Sequence, residues 1–354
     1  MKKLLPLLLI ALLLCACSGE DAAPTTAAPT TQATEATTLP TEAPTTVPTE
    51  PPVVYRHPLN GQVLEEPWTT RPTAIVINNI RWAMPQHGTA QADVLIEILA
   101  EGGITRNLAI FSSFEDVGNI GSIRSARTYF VSLSKAFDAP LMHNGDSNLA
   151  RSLFNTGAYE HVDCEYPYFF RDQERLSSGV ALEHTMFTSG KLMQDCVDKK
   201  FDMSADPEAT YGFIFDEGVE ATGEAAATVK ATYSVGGKTS EFRYDEAEGS
   251  YSFYQHDRDY KDGNTGDKVY FENVIFMYAQ MRNTGDSSGH VLHTLEGENT
   301  GFYARDGKIS PITWRRTAEP NPFSFYYADG SDVIMSPGKT YIVILPTGSK
   351  VDYQ

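Results

Sequence analysis

Residues 23–52 read APTTAAPTTQATEATTLPTEAPTTVPTEPP, and this run sets how much of the chain is free to fold. Its threonines, prolines and alanines carry too little apolar surface to offset the entropy of ordering a backbone, so it is expected to be disordered. Its prolines favour extended conformations. A tether over 18–54 therefore reaches on the order of 100 Å at roughly 3 Å per residue. The threonine density also permits O-glycosylation. About 300 residues remain beyond it, which suits one large or two modest domains.

The tether follows MKKLLPLLLIALLLCACSGE. Lys2 and Lys3 make a basic start and Leu4 to Leu14 an apolar stretch, which is a secretory signal too short for a spanning helix. Leu14-Cys15-Ala16-Cys17 has the form of a lipobox, and Ala16 before Cys17 with Ser18-Gly19 after it favours Cys17 over Cys15 as the lipidated residue. An ordinary cleaved signal is the alternative. Two acyl chains hold a protein at a membrane without spanning it, so the expected place is the outer face of the cell membrane.

With 46 acidic against 28 basic residues the formal charge is −18. That excludes nucleic acid, which needs a basic footprint, and adhesion to anionic lipid by charge. Beyond the signal only Cys164 and Cys196 remain. They either pair in an oxidising compartment or stand as two buried thiols.

The first half alternates strand and helix signals. TAIVINN (73–79) reads as a strand, TAQADVLIEILAEGG (89–103) as a helix with a glycine stop, and TRNLAIFSS (105–113) as a strand. SARTYFVSLSKAFD (125–138) is helical, APLMHNG (139–145) a buried strand, and SNLARSLFN (147–155) a helix capped by Ser147. The second half turns to short strands joined by Gly, Asp and Asn turns, with EAEGS and ADGS as hairpin tips. The expected fold is thus an α/β N-terminal domain, a mixed sheet with flanking helices over 55–205. A β-rich, mostly antiparallel C-terminal domain over 206–354 follows it. The boundary lies within 190–225.

A helix over 89–101 would stack Asp93, Glu97 and Glu101 at i, i+4 and i+8. Such carboxylates need cations, and Arg106, Arg124 and Arg127 are nearest in sequence. They make either a structural ion-pair network or a binding cleft. His143 and Asn79 end strands, where open α/β sheets place ligands. With helices on both sides of 105–113, EGGITR lies at the amino edge and IGSIRSAR at the carboxyl edge. Glu101 then pairs with Arg106, and Arg124 and Arg127 face His143 and Asn79; one shared cleft requires an antiparallel strand. GDSN resembles the start of a GDS-type esterase motif, but no histidine has Asp three residues before it, so Ser147 reads as a cap first. His290 and His293 read as surface. Trp314 and the run Phe323 to Tyr327 read as sheet core or, less simply, a sugar-stacking platform. There is no HExxH, CxxC, GxSxG, Walker loop or GxGxxG, and no metal or cofactor is expected.

The segments PTAIVINN, PQHGTAQADVLIEILAEGGITRNLAIF, IGSIRSARTYF, MHNGDS, ENVIFMY, TGFYARDGKISPITWRR and SPGKTYIVILP resemble the YerB-like lipoproteins over roughly residues 57–347. The resemblance implies a surface lipoprotein with an α/β part before a β-rich part, and no assigned function. The chain departs from that pattern at Asn78, Ser122, Asp146 and Tyr260, so Asp146 and Tyr260 are not carried over as site residues. Two functions follow. One is a non-enzymatic lipoprotein binding a cell-wall polymer or an envelope protein. The other is an envelope hydrolase using Glu97 or Glu101 with His143 as acid–base groups.

Overall fold

A computed structural model describes residues 53–354. The expected lipidation at Cys17, and all of the tether but Val53 and Val54, lie outside the described residues. The centre is one 11-stranded mixed sheet. The first half supplies β1 (Thr73–Asn79), β2 (Val94–Leu99), β3 (Thr105–Phe111), β4 (Leu141–His143) and β5 (His161–Asp163). In the second half β6 (Thr228–Thr232), β7 (Thr239–Asp245) and β8 (Ser250–Gln255) start a second, antiparallel sheet. Strands β9 (Asn273–Ala279), β10 (Gly297–Arg305), β11 (Lys308–Arg316) and β12 (Thr340–Pro346) return to the first sheet. Finally β13 (Lys350–Tyr353) pairs with β6.

The main sheet runs β11-β10-β9-β12-β2-β3-β1-β4-β5, and the short strands Glu224–Ala225 and Ser324–Tyr327, both paired with β11, complete the eleven. Strand β12 lies parallel to both β9 and β2, and β1, β4 and β5 are parallel to one another. Strand β3 is antiparallel to β2 and to β1. Alternate residues feed two cores. Val76, Ile96, Ile98 and Leu108 pack with Tyr129, Phe130 and Leu133 of helix α1 (Thr128–Ala136). Ile75, Ile77, Leu95 and Leu99 pack with Phe242, Tyr251 and Phe253 of the second sheet.

The expected helix over 89–103 is strand β2, and this is a correction. Buried on both faces, VLIEIL shows no alternation, and such a run is compatible with either state. Its β-branched Val94, Ile96 and Ile98 favour the strand. The spacing of Asp93, Glu97 and Glu101 is therefore not a helical stripe, and the glycines after it make a hairpin loop. The other expected first-half strands and helices are present. Helix α2 (Asn148–Phe154) starts at Ser147, whose Oγ accepts from the Ala150 N–H at 3.3 Å. EAEG closes the β7–β8 hairpin. Cys164 and Cys196 are free thiols. Among the described residues no helix is long and apolar enough to cross a membrane.

Candidate functional site

Because β3 is antiparallel to its neighbours, Asn79 and Leu99 both lie opposite Thr105. The ends of β1 and β2 and the start of β3 thus share one edge, and EGGITR is the loop between β2 and β3. The loop turns tightly, with Gly102 at φ 71° and Gly103 at φ 74°. That left-handed backbone suits glycine. A Cβ on Gly103 would also stand 2.8 Å from Gly236 Cα.

One face of this edge carries the arginines. Arg106 donates through Nη2 to Glu101 Oε1 at 2.6 Å and through Nη1 to the Ser125 carbonyl at 2.8 Å. Arg127 donates through Nε to Glu101 Oε2 at 3.1 Å and also grips Oε1. Burial pushes the Glu101 carboxyl up, but the two guanidinium groups outweigh it and hold the pKa at about 2. Burial and Arg127 pull Arg106 down to about 10 against the pull of Glu101, so it stays charged at neutral pH. Arg124 points elsewhere and donates to the Glu183 carbonyl at 2.8 Å.

His143 belongs to a third cluster. Its Nδ1 donates to the Gly145 carbonyl at 2.8 Å, and its Nε2 meets His161 Nδ1 at 3.0 Å. Its ring stacks on Phe154. Burial lowers its pKa.

The opposite face holds Glu97, which is 0% exposed. Lys238 pairs with Oε1, while the Ser240 and Tyr341 hydroxyls donate to Oε2 at 2.8 and 3.0 Å. Burial opposes the charge on Glu97, but the Lys238 ammonium and these donors outweigh burial and keep its pKa below the usual range. Beside it, Asn79 donates to Thr105 Oγ1 at 2.9 Å and accepts from Gln86 at 2.9 Å and Gln255 at 2.8 Å.

This polar layer underlies a cavity of about 410 Å³, lined by Asn79, Arg81, Trp82, Lys238, His256 and Asp257 and by the loop Gly103–Thr105. Trp82 is 76% exposed. Arg81 reaches Asp257 at 3.6 Å. His256 and Asp257 have φ 52° and 65°, in the two-residue turn between β8 and the short strand Arg258–Asp259. Two consecutive non-glycine residues in the left-handed region are costly, and such backbone collects at functional sites.

The expected site residues therefore divide. Glu101, Arg106 and Arg127 meet on the α1 face, and Glu97 and Asn79 lie under the cavity on the other. Arg124 feels Glu101 and Arg127 but bonds only elsewhere, and His143 sits apart from both groups. Sequence reasoning passed over Trp82, Arg81, Lys238, His256 and Asp257. Two signals were present: an aromatic three residues after a strand ending in Asn, in NNIRWAMP, and a two-residue turn without glycine, in YQHDRD. Trp314 is core, 1% exposed, with Nε1 donating to the Tyr278 carbonyl. His293, expected at the surface, is half-buried, with its Nε2 donating to the Leu99 carbonyl at 2.8 Å.

Two family models match the chain. The one described as "Protein of unknown function (DUF3048) N-terminal domain" covers residues 59–204, and its C-terminal counterpart covers 229–342. The chain is similar to a Bacillus subtilis (strain 168) protein named "Putative lipoprotein YerB", with 30% identity over 299 residues, 82% of this chain and 86% of the relative. It is also similar to the crystal structure of the YerB protein from Bacillus subtilis, at a TM-score of 0.72 and 28% identity, covering 84% of this chain and 99% of that one.

Proposed function

The chain belongs to the DUF3048 family, and on that premise we propose that it is a lipid-anchored envelope protein that binds a neutral glycan in the cavity beside Trp82. The lipoprotein name of its relative, together with the Ala16-Cys17-Ser18 junction, supports an anchor at Cys17 on the outer face of the membrane. The observation that carries the glycan reading is Trp82. It is a large exposed ring at the rim of a cavity of ligand size, flanked by a guanidinium–carboxylate pair. Such a ring stacks on the apolar face of a sugar, while Asn79, Arg81 and Asp257 offer donors and acceptors to its hydroxyls.

The charges of the site cancel: Arg81 with Asp257, and Lys238 with Glu97. The whole chain carries −18. Both features disfavour a polyanionic polymer and favour a hydroxyl-rich neutral one. A glycosidase needs two carboxylates facing one space. Among the described residues Asp257 is the one carboxylate in the lining, and it is paired, which favours binding over cleavage.

The test is a fluorescence titration of the full chain with tetra-N-acetylglucosamine, which is neutral, and with an anionic muropeptide tetrasaccharide, which should bind more weakly. Saturable quenching, weakened at least about tenfold by Trp82→Ala, is expected. Binding that is absent, or indifferent to Trp82, sinks the reading. Product analysis of the same mixtures reports any turnover.

A further inference from the structure

A second cavity, of about 280 Å³, is lined by residues that follow Trp82 and by residues that flank the His256–Asp257 turn. It shares no lining residue with the Trp82 cavity. Its walls have few polar groups to offer. Met84 and Pro85 form one side, and Gly263 and Gly266, which carry no side chain, form another. The N–H groups of both glycines are spent on the Gln86 and Asp262 carbonyls. Tyr260 is the floor. Its hydroxyl donates to Thr89 Oγ1 at 3.0 Å and its ring rests on Phe253 at 5.1 Å, so it presents ring carbon to the space above.

The charges gather at the mouth, and they are unbalanced. Asp262 is buried, and its two oxygens accept from the Ala90 N–H at 3.0 Å and the Asn264 N–H at 2.8 Å. Asp259 pairs with Lys268 at 3.3 Å and lies 4.0 Å from Arg243. Both carboxylates are thus engaged. Arg258 and Lys261 are exposed, and among the described residues neither side chain makes an ion pair or a hydrogen bond. Arg258 lies opposite Gln255 in its hairpin, so its side chain leaves on the face that carries Gln255 and, two residues on, Tyr260. With Lys268, three cations stand against two carboxylates here. Two neighbouring cations without partners stand out in a chain of 46 acidic and 28 basic residues, where acidic partners are plentiful.

We propose that this cavity binds an organic carboxylate with a short apolar body, with the body against Met84, Pro85 and Tyr260 and the carboxylate on Arg258 and Lys261. The apolar walls gain by displacing water onto hydrocarbon, and a guanidinium fork takes both oxygens of a carboxylate. A single negative charge matches the excess of one positive charge. The same chemistry belongs to a free aliphatic acid and to the terminal carboxyl of an acylated apolar amino acid. Neither requires the glycan reading of the first cavity.

The experiment is calorimetry on the full chain with four compounds. Octanoate is the free acid and N-acetyl-leucine the acylated amino acid. Octanamide has the body of octanoate without its charge, and acetate has the charge without the body. Saturable heat from octanoate, N-acetyl-leucine or both is expected, and which of them binds distinguishes the two sources. Octanamide and acetate should each bind at least about tenfold more weakly. Arg258→Gln removes an exposed, unpaired charge, so it should leave the melting temperature unchanged and weaken binding at least about tenfold. Trp82→Ala should leave binding intact. No saturable heat at millimolar octanoate or N-acetyl-leucine, equal binding of octanamide, or binding untouched by Arg258→Gln overturns the proposal.

Discussion

Glu97 and Glu101, four residues apart in sequence, serve opposite faces of one sheet: Glu97 is held by Lys238 between the two sheets, and Glu101 by Arg106 and Arg127 beside α1. The two carboxylates therefore behave as independent units, and their substitutions should add.

In the Glu97–Lys238 pair the carboxylate is fully enclosed and the ammonium nearly so. Lys238→Met leaves a buried carboxylate without its cation and is expected to lower stability by about 3–5 kcal/mol. The double variant Glu97→Leu, Lys238→Met removes both charges and should regain most of that loss. Urea unfolding of the wild type, the single variant and the double variant measures the coupling; strictly additive effects would contradict it.

Arg106 and Arg124 should differ sharply. Arg106→Ala removes a buried guanidinium that holds Glu101 and the Ser125 carbonyl, at about 3–5 kcal/mol. Arg124→Ala removes one hydrogen bond from a half-buried side chain, at about 1 kcal/mol. Neither change should alter glycan binding. Melting curves with parallel titrations check both halves, and equal losses would show that the cluster extends to Arg124.

Gly103 and Gly236 pack backbone against backbone. Alanine at either is strained by its positive φ and also collides, since a Cβ at 236 would lie 2.5 Å from the Gly103 carbonyl oxygen. Gly102 shares the positive φ but faces open space. Gly102→Ala should therefore cost about 1 kcal/mol, and Gly103→Ala clearly more, with loss of glycan binding as the loop moves. The ranking of the two unfolding midpoints is the readout.

The turn at His256–Asp257 predicts a trade between stability and binding. Replacing it by Asn-Gly, the favoured pair for such turns, should raise stability by about 1 kcal/mol and weaken the glycan-induced quench. A variant that gains stability and keeps full binding would show the turn to be incidental.

Seven of the eight histidines, His57, His87, His143, His161, His184, His256 and His293, have lowered pKa values, with burial the largest cause. A neutral imidazole with a lowered folded pKa stabilises the fold above its unfolded value, near 6.5, and loses that contribution as pH falls toward the folded value. For His293 the window runs from 6.5 down to about 4. Glu101 adds a second window, from 4.5 down to about 2. Stability should therefore decline from pH 7 to 4, by up to about 1.4 kcal/mol per pH unit for each fully excluded histidine, and further below pH 4. Denaturant midpoints measured across pH 7 to 3 give the slope, and a flat profile between 7 and 5 would refute it.

Much of the architecture was legible because local signals agreed with the tertiary outcome. TAIVINN is β-branched and stops at Asn, Ser147 caps a helix, and EAEG turns a hairpin. VLIEIL misled because a strand covered on both faces loses the period-2 pattern that identifies strands. That error moved Glu97 onto the wrong element, and the cavity it underlies stayed hidden. The same cavity needs Lys238 from 141 residues downstream, a juxtaposition made by the packing of two sheets and by no spacing along the chain. Trp82 and the His-Asp turn were visible as anomalies, but their meaning came from their placement around one opening.

Strand β12, residues 340–346, follows both β2 and β9 in the chain, yet it lies between them in the middle of the sheet. A polypeptide emerging from its amino end therefore exposes the bare flank of VLIEIL until β12 is delivered. Strand β2 waits for one made long after it, and that open, apolar flank is a surface on which two nascent copies can pair. Arrival of β12 is thus the step that commits this protein to its own sheet. A truncation that removes residues 340–354 would leave two half-sheets with no shared strand, prone to association rather than merely shortened.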